Sequence, residues 1–377
     1  MSKRTQILIG FAVIVVGLVV WLALRNRQPQ ERTIRVGVAL PLTGDAAVYG
    51  KALQNGIELA LSEESATEPN ISLIYEDDQG LGAQAVSAAR KLIDVDKVPV
   101  IIGGAMSSTA EATIPVCDSA KTVLVSPTAT KPSLPHKGGY FLRLWPSDNY
   151  DGKIMAETAH NKLSLQRISV LYVNVAYGVG ITEVFEREFK NLGGTIVSKE
   201  GYAQGATDFR TALTKIQAAN PEAVYLPGYV AEVTQILKQA KELGFKTKFL
   251  GVNSLYDPKL IEIAGSAAEG AVFTYPTFDT KSTDPLIQRF VSAYQAKYGS
   301  EPDAFAAQGY DALRVVKKAL GKTNGRPVSG AEVLIALHSL GPFQGPGGQF
   351  TFDETGDVEK PLRLLSVRNG RFVPFEP

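Results

Sequence analysis

From position 33 onward, apolar and polar residues alternate between two rhythms. Short apolar runs at 34–40, 71–76, 98–102 and 123–125 have the length and composition of buried strands, and a second series follows at 168–173, 195–197, 223–226 and 249–251. The segments between them carry helical spacing. Val233, Ile236, Leu237 and Ala240 fall at i, i+3, i+4 and i+7, with Gly244 where a helix should stop. Leu53, Ile57, Ala60 and Leu61 form a similar stripe. Strands alternating with amphipathic helices predict parallel sheets covered on both faces. Trp145-Pro146-Ser147-Asp148 separates the two series and reads as a crossing between two α/β lobes. Further helices are predicted over 286–297 and 304–320. The Gly/Pro-rich stretch 341–348 suits either a surface loop or a hinge crossing, and three strand-like runs follow it.

The N-terminus departs from both rhythms. Positions 7–24 (ILIGFAVIVVGLVVWLAL) are uninterrupted apolar sequence between Lys3 and Arg4 on one side and Arg25 and Arg27 on the other. At ~1.5 Å per residue the run reaches ~27 Å, close to a ~30 Å hydrocarbon core. A cleaved signal has a shorter apolar stretch and a small-x-small exit. Here the exit is Leu22-Ala23-Leu24-Arg25, with no cysteine for a lipid anchor. The expectation is an uncleaved transmembrane anchor over 1–32, with export on a cleaved signal as the alternative.

Composition narrows the chemistry. The 377 residues, 45% apolar and 20% charged, suffice for one large or two medium cores. A formal charge of +1, from 39 basic and 38 acidic residues, gives no field that would recommend nucleic acid as a partner. Cys117 is the single cysteine, so no intrachain disulfide can form, and its expected place is buried on a helix. His136, His160 and His338 have no metal-ligand spacing. Gly178-Val179-Gly180 lacks the third glycine of a dinucleotide fingerprint, and there is neither a complete phosphate loop nor a Gly-x-Ser-x-Gly elbow. No enzyme, cofactor or metal site is expected.

Several segments have a collective resemblance. "RVGVALPLTGDAAVYGKALQNGIELALSE", "YEDDQG", "VIIGGAMSST", "VLVSPTATKPSL", "YFLRLWPSD", "AYGVG", "DFRTALTKIQAANPEAVYLPGY", "AAEGAVFT", "YGSEPDAFAAQGYDAL" and "FDETGDV" follow one another in the order found in the leucine/isoleucine/valine-binding proteins, the type I periplasmic receptors that feed ABC transporters. The resemblance implies an α/β fold of two doubly wound parallel-sheet lobes joined by three hinge crossovers near Pro146, Thr277 and Gly345, here preceded by one N-terminal transmembrane helix. It divides the chain into 1–32, a first lobe of 33–147 plus 278–344, and a second of 148–277 plus 345–377. A small solute would be enclosed between the lobes, outside the cytoplasm.

The resemblance also implies a ligand site at Tyr49, Ser107, Thr128, Ala129, Thr130, Tyr177, Tyr229, Asn253 and Phe305. Chemically, Ser108 and Glu111 have capping-box spacing, which leaves the Ser107 hydroxyl to meet a carboxylate at a helix start; alternatively Ser107 is itself a cap. Thr128 and Thr130 lie between Pro127 and Pro132, a turn or a stiff anion cradle. Tyr49, Tyr177, Tyr229 and Phe305 would supply aromatic area. Family members with amino-acid ligands place an acid where Asn253 stands, to hold the ammonium group. The ligand is then either uncharged at that end or held with help from Asp257 or another acid. The function implied is capture of a small amino-acid-like or carboxylate solute for an ABC transporter permease. The alternative is a membrane-tethered regulator that uses the same scaffold.

Overall fold

The protein is described by a computed structural model covering residues 33–63, 69–136, 138–323 and 328–376; the apolar run 7–24 lies outside them. Two sheets organise the chain. The first contains β1 (Ile34–Leu40), β2 (Ile71–Asp77), β3 (Val100–Gly103), β4 (Val123–Ser126) and β5 (Phe141–Arg143), all parallel, in the order β2-β1-β3-β4-β5. The second contains β6 (Arg167–Val173), β7 (Thr195–Tyr202), β8 (Ala223–Leu226), β9 (Lys248–Gly251) and β10 (Val272–Pro276). Those five repeat the same parallel order, β7-β6-β8-β9-β10. β11 (Phe343–Gly345) and β12 (Gly348–Phe350) form a separate hairpin, and β13 (Leu362–Arg368) and β14 (Arg371–Pro374) extend the second sheet antiparallel. Central strands such as β3, β4 and β8 are buried at every residue, as expected when helices cover both faces of a sheet.

The helices are α1 (Ala47–Ser62), α2 (Gly82–Arg90), α3 (Ser107–Ala120), α4 (Asp148–Glu157), α5 (Ala176–Asn191), α6 (Arg210–Ala218), α7 (Val230–Glu242), α8 (Pro285–Tyr298), α9 (Ala304–Gly321) and α10 (Gly330–His338). α7 shows how pattern becomes structure. Val233, Ile236, Leu237 and Ala240 are fully buried. Gly244 adopts a φ of +76°, and the Gly244 and Phe245 N–H groups donate to Lys241 and Ala240 carbonyls at 3.0 Å each, a Schellman stop. Cys117 is buried in α3 against the first sheet, and burial pushes its thiol up to about 12.

Three details differ from the sequence expectation. The short strands β5 and β10 had no predicted counterpart; their apolar runs are interrupted by Arg143 in one and by Thr274 and Pro276 in the other. The 341–348 stretch is neither a bare loop nor a crossing. Gly345 pairs with Gly348 inside the β11–β12 hairpin, and the Gly347 N–H donates to Asp311 of α9 at 2.9 Å. The passage to the second sheet therefore lies after Phe350, before Leu362.

α9 returns from the second crossing and packs on α1 at backbone distance. A Cβ on Gly56 would lie 1.9 Å from the Ala306 carbonyl oxygen, and one on Gly309 would lie 2.2 Å from that of Leu53. This contact sets the Phe305 ring 4.9 Å from the Tyr49 ring. Gly56→Ala and Gly309→Ala should each cost at least ~1–3 kcal/mol, because helix backbone cannot yield as a side chain can. Denaturant unfolding checks this: a loss below ~0.5 kcal/mol for both would contradict the tight approach.

Candidate functional site

In sheets of this order, ligands meet the chain beyond the carboxyl ends of the strands, where the winding reverses. The two sheets present those ends to each other across a cleft of about 370 Å³, part of it open to solvent. Tyr49 comes from α1, which follows β1, and Ala105, Met106 and Ser107 follow β3. Thr128 and Thr130 follow β4, Tyr177 stands in the first turn of α5 after β6, Tyr229 follows β8, and Asn253 and Ser254 follow β9. Phe305 enters from α9. The structure thus brings Tyr49, Ser107, Thr128, Thr130, Tyr177, Tyr229, Asn253 and Phe305 together. Ala129 is not among the lining residues. It is buried in the first-sheet core, its N–H donating to Ser126 Oγ at 3.0 Å.

At one end the cavity is polar and donor-rich. The expected cap at Ser108 is replaced by a different arrangement: Met106 is the N-cap, and Thr109 Oγ1 accepts from the Met106 N–H at 3.2 Å and donates to its carbonyl at 2.9 Å. Glu111 instead pairs with Lys131. Ser107 Oγ accepts from the Thr130 and Lys131 N–H groups, both at 3.3 Å, so this hydroxyl ties the 128–131 loop to α3. Thr128 Oγ1 donates to the Ala105 carbonyl at 2.8 Å, which fixes the loop again. The starts of α3, α5 and α7 converge on the cavity at Ser107, Tyr177 and Tyr229, and the positive ends of helix dipoles favour an anion there.

Opposite charge is supplied by residues the sequence reading passed over. Asp148 and Asp151 begin α4, and both are buried, at 0% and 2% exposure. Asp148 Oδ2 accepts from Thr130 Oγ1 at 2.8 Å, while its Oδ1 has no partner. Burial, and then the neighbouring Asp151 charge, hold the Asp148 carboxyl well above the usual carboxylate range. Asp151 accepts from Thr274 Oγ1 at 2.6 Å and from Asn253 Nδ2 at 3.1 Å, and burial pushes it up to about 6. The Tyr177 hydroxyl is also buried without a partner, and its phenol is raised by burial and by both aspartates. The signal available in the sequence was spacing: acids at 148 and 151 are three apart and share a helix face. Asp257 accepts from the Lys259 N–H at 2.8 Å in a turn and does not line the cavity.

The remaining wall is aromatic. Tyr177 stacks on Tyr229 at 5.6 Å, Tyr229 meets Tyr49 at 6.0 Å, and Phe305 sits between Tyr49 and Trp145, 5.1 Å from the latter. Tyr49 Oη accepts from the Val230 N–H at 3.1 Å, a contact between a first-sheet and a second-sheet helix.

Two facing α/β lobes around a cavity with an anion-favouring end, a buried acid and an aromatic wall define a solute-binding receptor. A profile described as periplasmic binding protein matches residues 33–371, and the chain belongs to that family. It is similar to the Leu/Ile/Val-binding protein homolog 3 of Brucella melitensis, 29% identical over 91% of this chain and 94% of that one. The crystal structure of a leucine binding protein from Thermotoga maritima superposes with a TM-score of 0.85 at 30% identity, covering 91% and 98% of the two chains. An ABC-transporter solute binding protein from Rhodopseudomonas palustris, solved with 3,4-dihydroxybenzoic acid, gives 0.78 at 26% identity over 89% and 93%.

Asp148 carries a cost in the empty cleft. Asp148→Asn should raise the melting temperature of ligand-free protein by a few degrees, the equivalent of ~1 kcal/mol, because the desolvated carboxyl is removed. A lower melting temperature would mean that Asp148 is structurally satisfied.

Proposed function

We propose that the cleft captures an α-amino acid with an apolar side chain and hands it to an ABC transporter permease. One observation carries the reading: the cavity has an anion-favouring end where helices start at Ser107, and behind its wall, hydrogen-bonded to the lining residue Thr130, stands the buried Asp148 carboxyl with one oxygen unpaired. A carboxylate suits the first, and an ammonium donor suits the second. The rings of Tyr49, Tyr229 and Phe305 would bound an aliphatic side chain. The leucine, isoleucine and valine in the names of the similar proteins support the same ligand class. Membership of a family of solute-binding proteins supports binding without catalysis. The outward-facing attachment would come from the apolar run 7–24, whose length and poor exit site favour an anchor.

Calorimetry with L-leucine as probe tests the ligand reading. The empty Asp148 carboxyl titrates above its ordinary range, and an ammonium partner lowers it again. Binding should therefore release a proton, give heats that depend on the buffer's ionisation enthalpy, and weaken as pH falls through the empty-state value. Asp148→Asn should weaken L-leucine about tenfold or more, the equivalent of ~1.5–3 kcal/mol. Failure of the wild type to bind leucine, valine or isoleucine would sink the reading.

Attachment has its own test. The full chain should stay with membranes after an alkaline wash, while protein beginning at Thr33 should be released and folded. Recovery of mature protein truncated near Arg25 would show a cleaved signal instead.

A further inference from the structure

Asn253 opens a short turn after β9, lines the cavity and is itself buried. Its Nδ2 is 3.1 Å from Asp151 Oδ2. Asp151 does not line the cavity; it stands behind the amide, and its other oxygen accepts from Thr274 Oγ1 at 2.6 Å. An ionised carboxylate only accepts hydrogen bonds. Turning the amide over would set its oxygen against a carboxylate oxygen, two acceptors in contact inside a desolvated site. The amide is planar, so with Nδ2 held by Asp151 its Oδ1 points the other way.

We propose that Asp151 is a positioning residue: it fixes the Asn253 amide so that the cleft offers an oxygen acceptor, and it thereby selects amino acids over their deaminated analogues without touching the ligand. This rests on the amino-acid reading given above. The charge that relatives with amino-acid ligands are expected to place at the position of Asn253 stands here one residue further back. A carboxylate behind the amide also polarises it, strengthening the oxygen as an acceptor. Together with Asp148 Oδ1, the Asn253 oxygen would give an ammonium group a second partner. A ligand lacking that group would leave both acceptors unpaired, which penalises binding more than a lost contact would.

Two measurements decide the matter. In ligand-free, ¹⁵N-labelled protein the Asn253 side-chain amide resonance, assigned by its loss in Asn253→Asp, should shift in Asp151→Asn. An unchanged resonance overturns the orientation. Calorimetry with L-leucine and 4-methylpentanoate then gives the discrimination ratio. Asp151→Asn should reduce the ratio about tenfold. The double variant Asp151→Asn/Asn253→Asp keeps one acid and one amide in the buried pair, and should restore the ratio or exceed it. A folded Asp151→Asn with the wild-type ratio overturns the proposal, as does a double variant that has lost discrimination. The double variant decides alone if the single one does not fold. Should the wild type bind neither probe, the amino-acid reading fails, while the resonance still reports which way the amide faces.

Discussion

Two carboxyl groups, three residues apart on the first turn of α4, are held out of water, and the cleft is arranged around the cost of keeping them there. Burying a charge is expensive unless hydrogen bonds replace its solvent. Asp151 is compensated at both oxygens, by Thr274 and Asn253. Asp148 is compensated at one, by Thr130, and its proximity to Asp151 adds repulsion. Arg143 lies five residues upstream and attracts Asp148 weakly, but its guanidinium is committed elsewhere: it grips both oxygens of Asp357 at 2.7 and 2.6 Å. Of the two buried acids, Asp148 is therefore the less compensated.

Aromatic contacts act in the other direction. Tyr49 from the first lobe meets Tyr229 from the second, with Phe305 packed behind Tyr49 and Tyr177 behind Tyr229, and a ring pair of this kind is worth ~0.5–1.5 kcal/mol beyond its buried area. The Tyr49 hydroxyl adds a hydrogen bond to the first amide of α7. These contacts hold the lobes together, and the buried Asp148 carboxyl with its unpaired oxygen works against that arrangement.

The lobed architecture was legible because periodicity and turn residues repeat many times along the chain. α7 and its Gly244 stop follow directly from spacing, and α9 falls within a residue of its expected bounds. Single-residue chemistry was less legible. The cap of α3 went to Met106 and Thr109, because Ser107 Oγ is used to hold the 128–131 loop, a contact more than twenty residues away in sequence. Asp148 closed the segment read as a crossing and Asp151 lay just beyond it, and acids in a first helical turn are ordinarily explained by the helix dipole. Only the folded chain, which removes both from solvent and leaves Asp148 Oδ1 unpaired, separates them from other helix-start acids. The same holds for Asn253: its residue type suggested a missing charge, and the charge was present behind it.

The three passages between the sheets are laced side by side, which constrains how the lobes can move. Arg143 at the end of β5 binds Asp357 in the third passage. Arg363, where that passage enters β13, donates to the Phe278 carbonyl at 2.7 Å and to Asp279 at 3.2 Å in the second. Lys360 lies between these two anchors, buried, donating to Gln308 and to the Gly347 carbonyl, both at 3.1 Å, while Asp311 holds the Gly347 amide. Burial pushes Lys360 down to about 8 and Asp311 up to about 7, and each charge offsets part of the other's shift. A passage pinned at 357, 360 and 363 cannot flex residue by residue. Side chains therefore tie the three passages to one another rather than leaving them as separate links. α4 emerges from the first passage with Asp148 at its start, so the acid with one unpaired oxygen stands at the end of these tied passages.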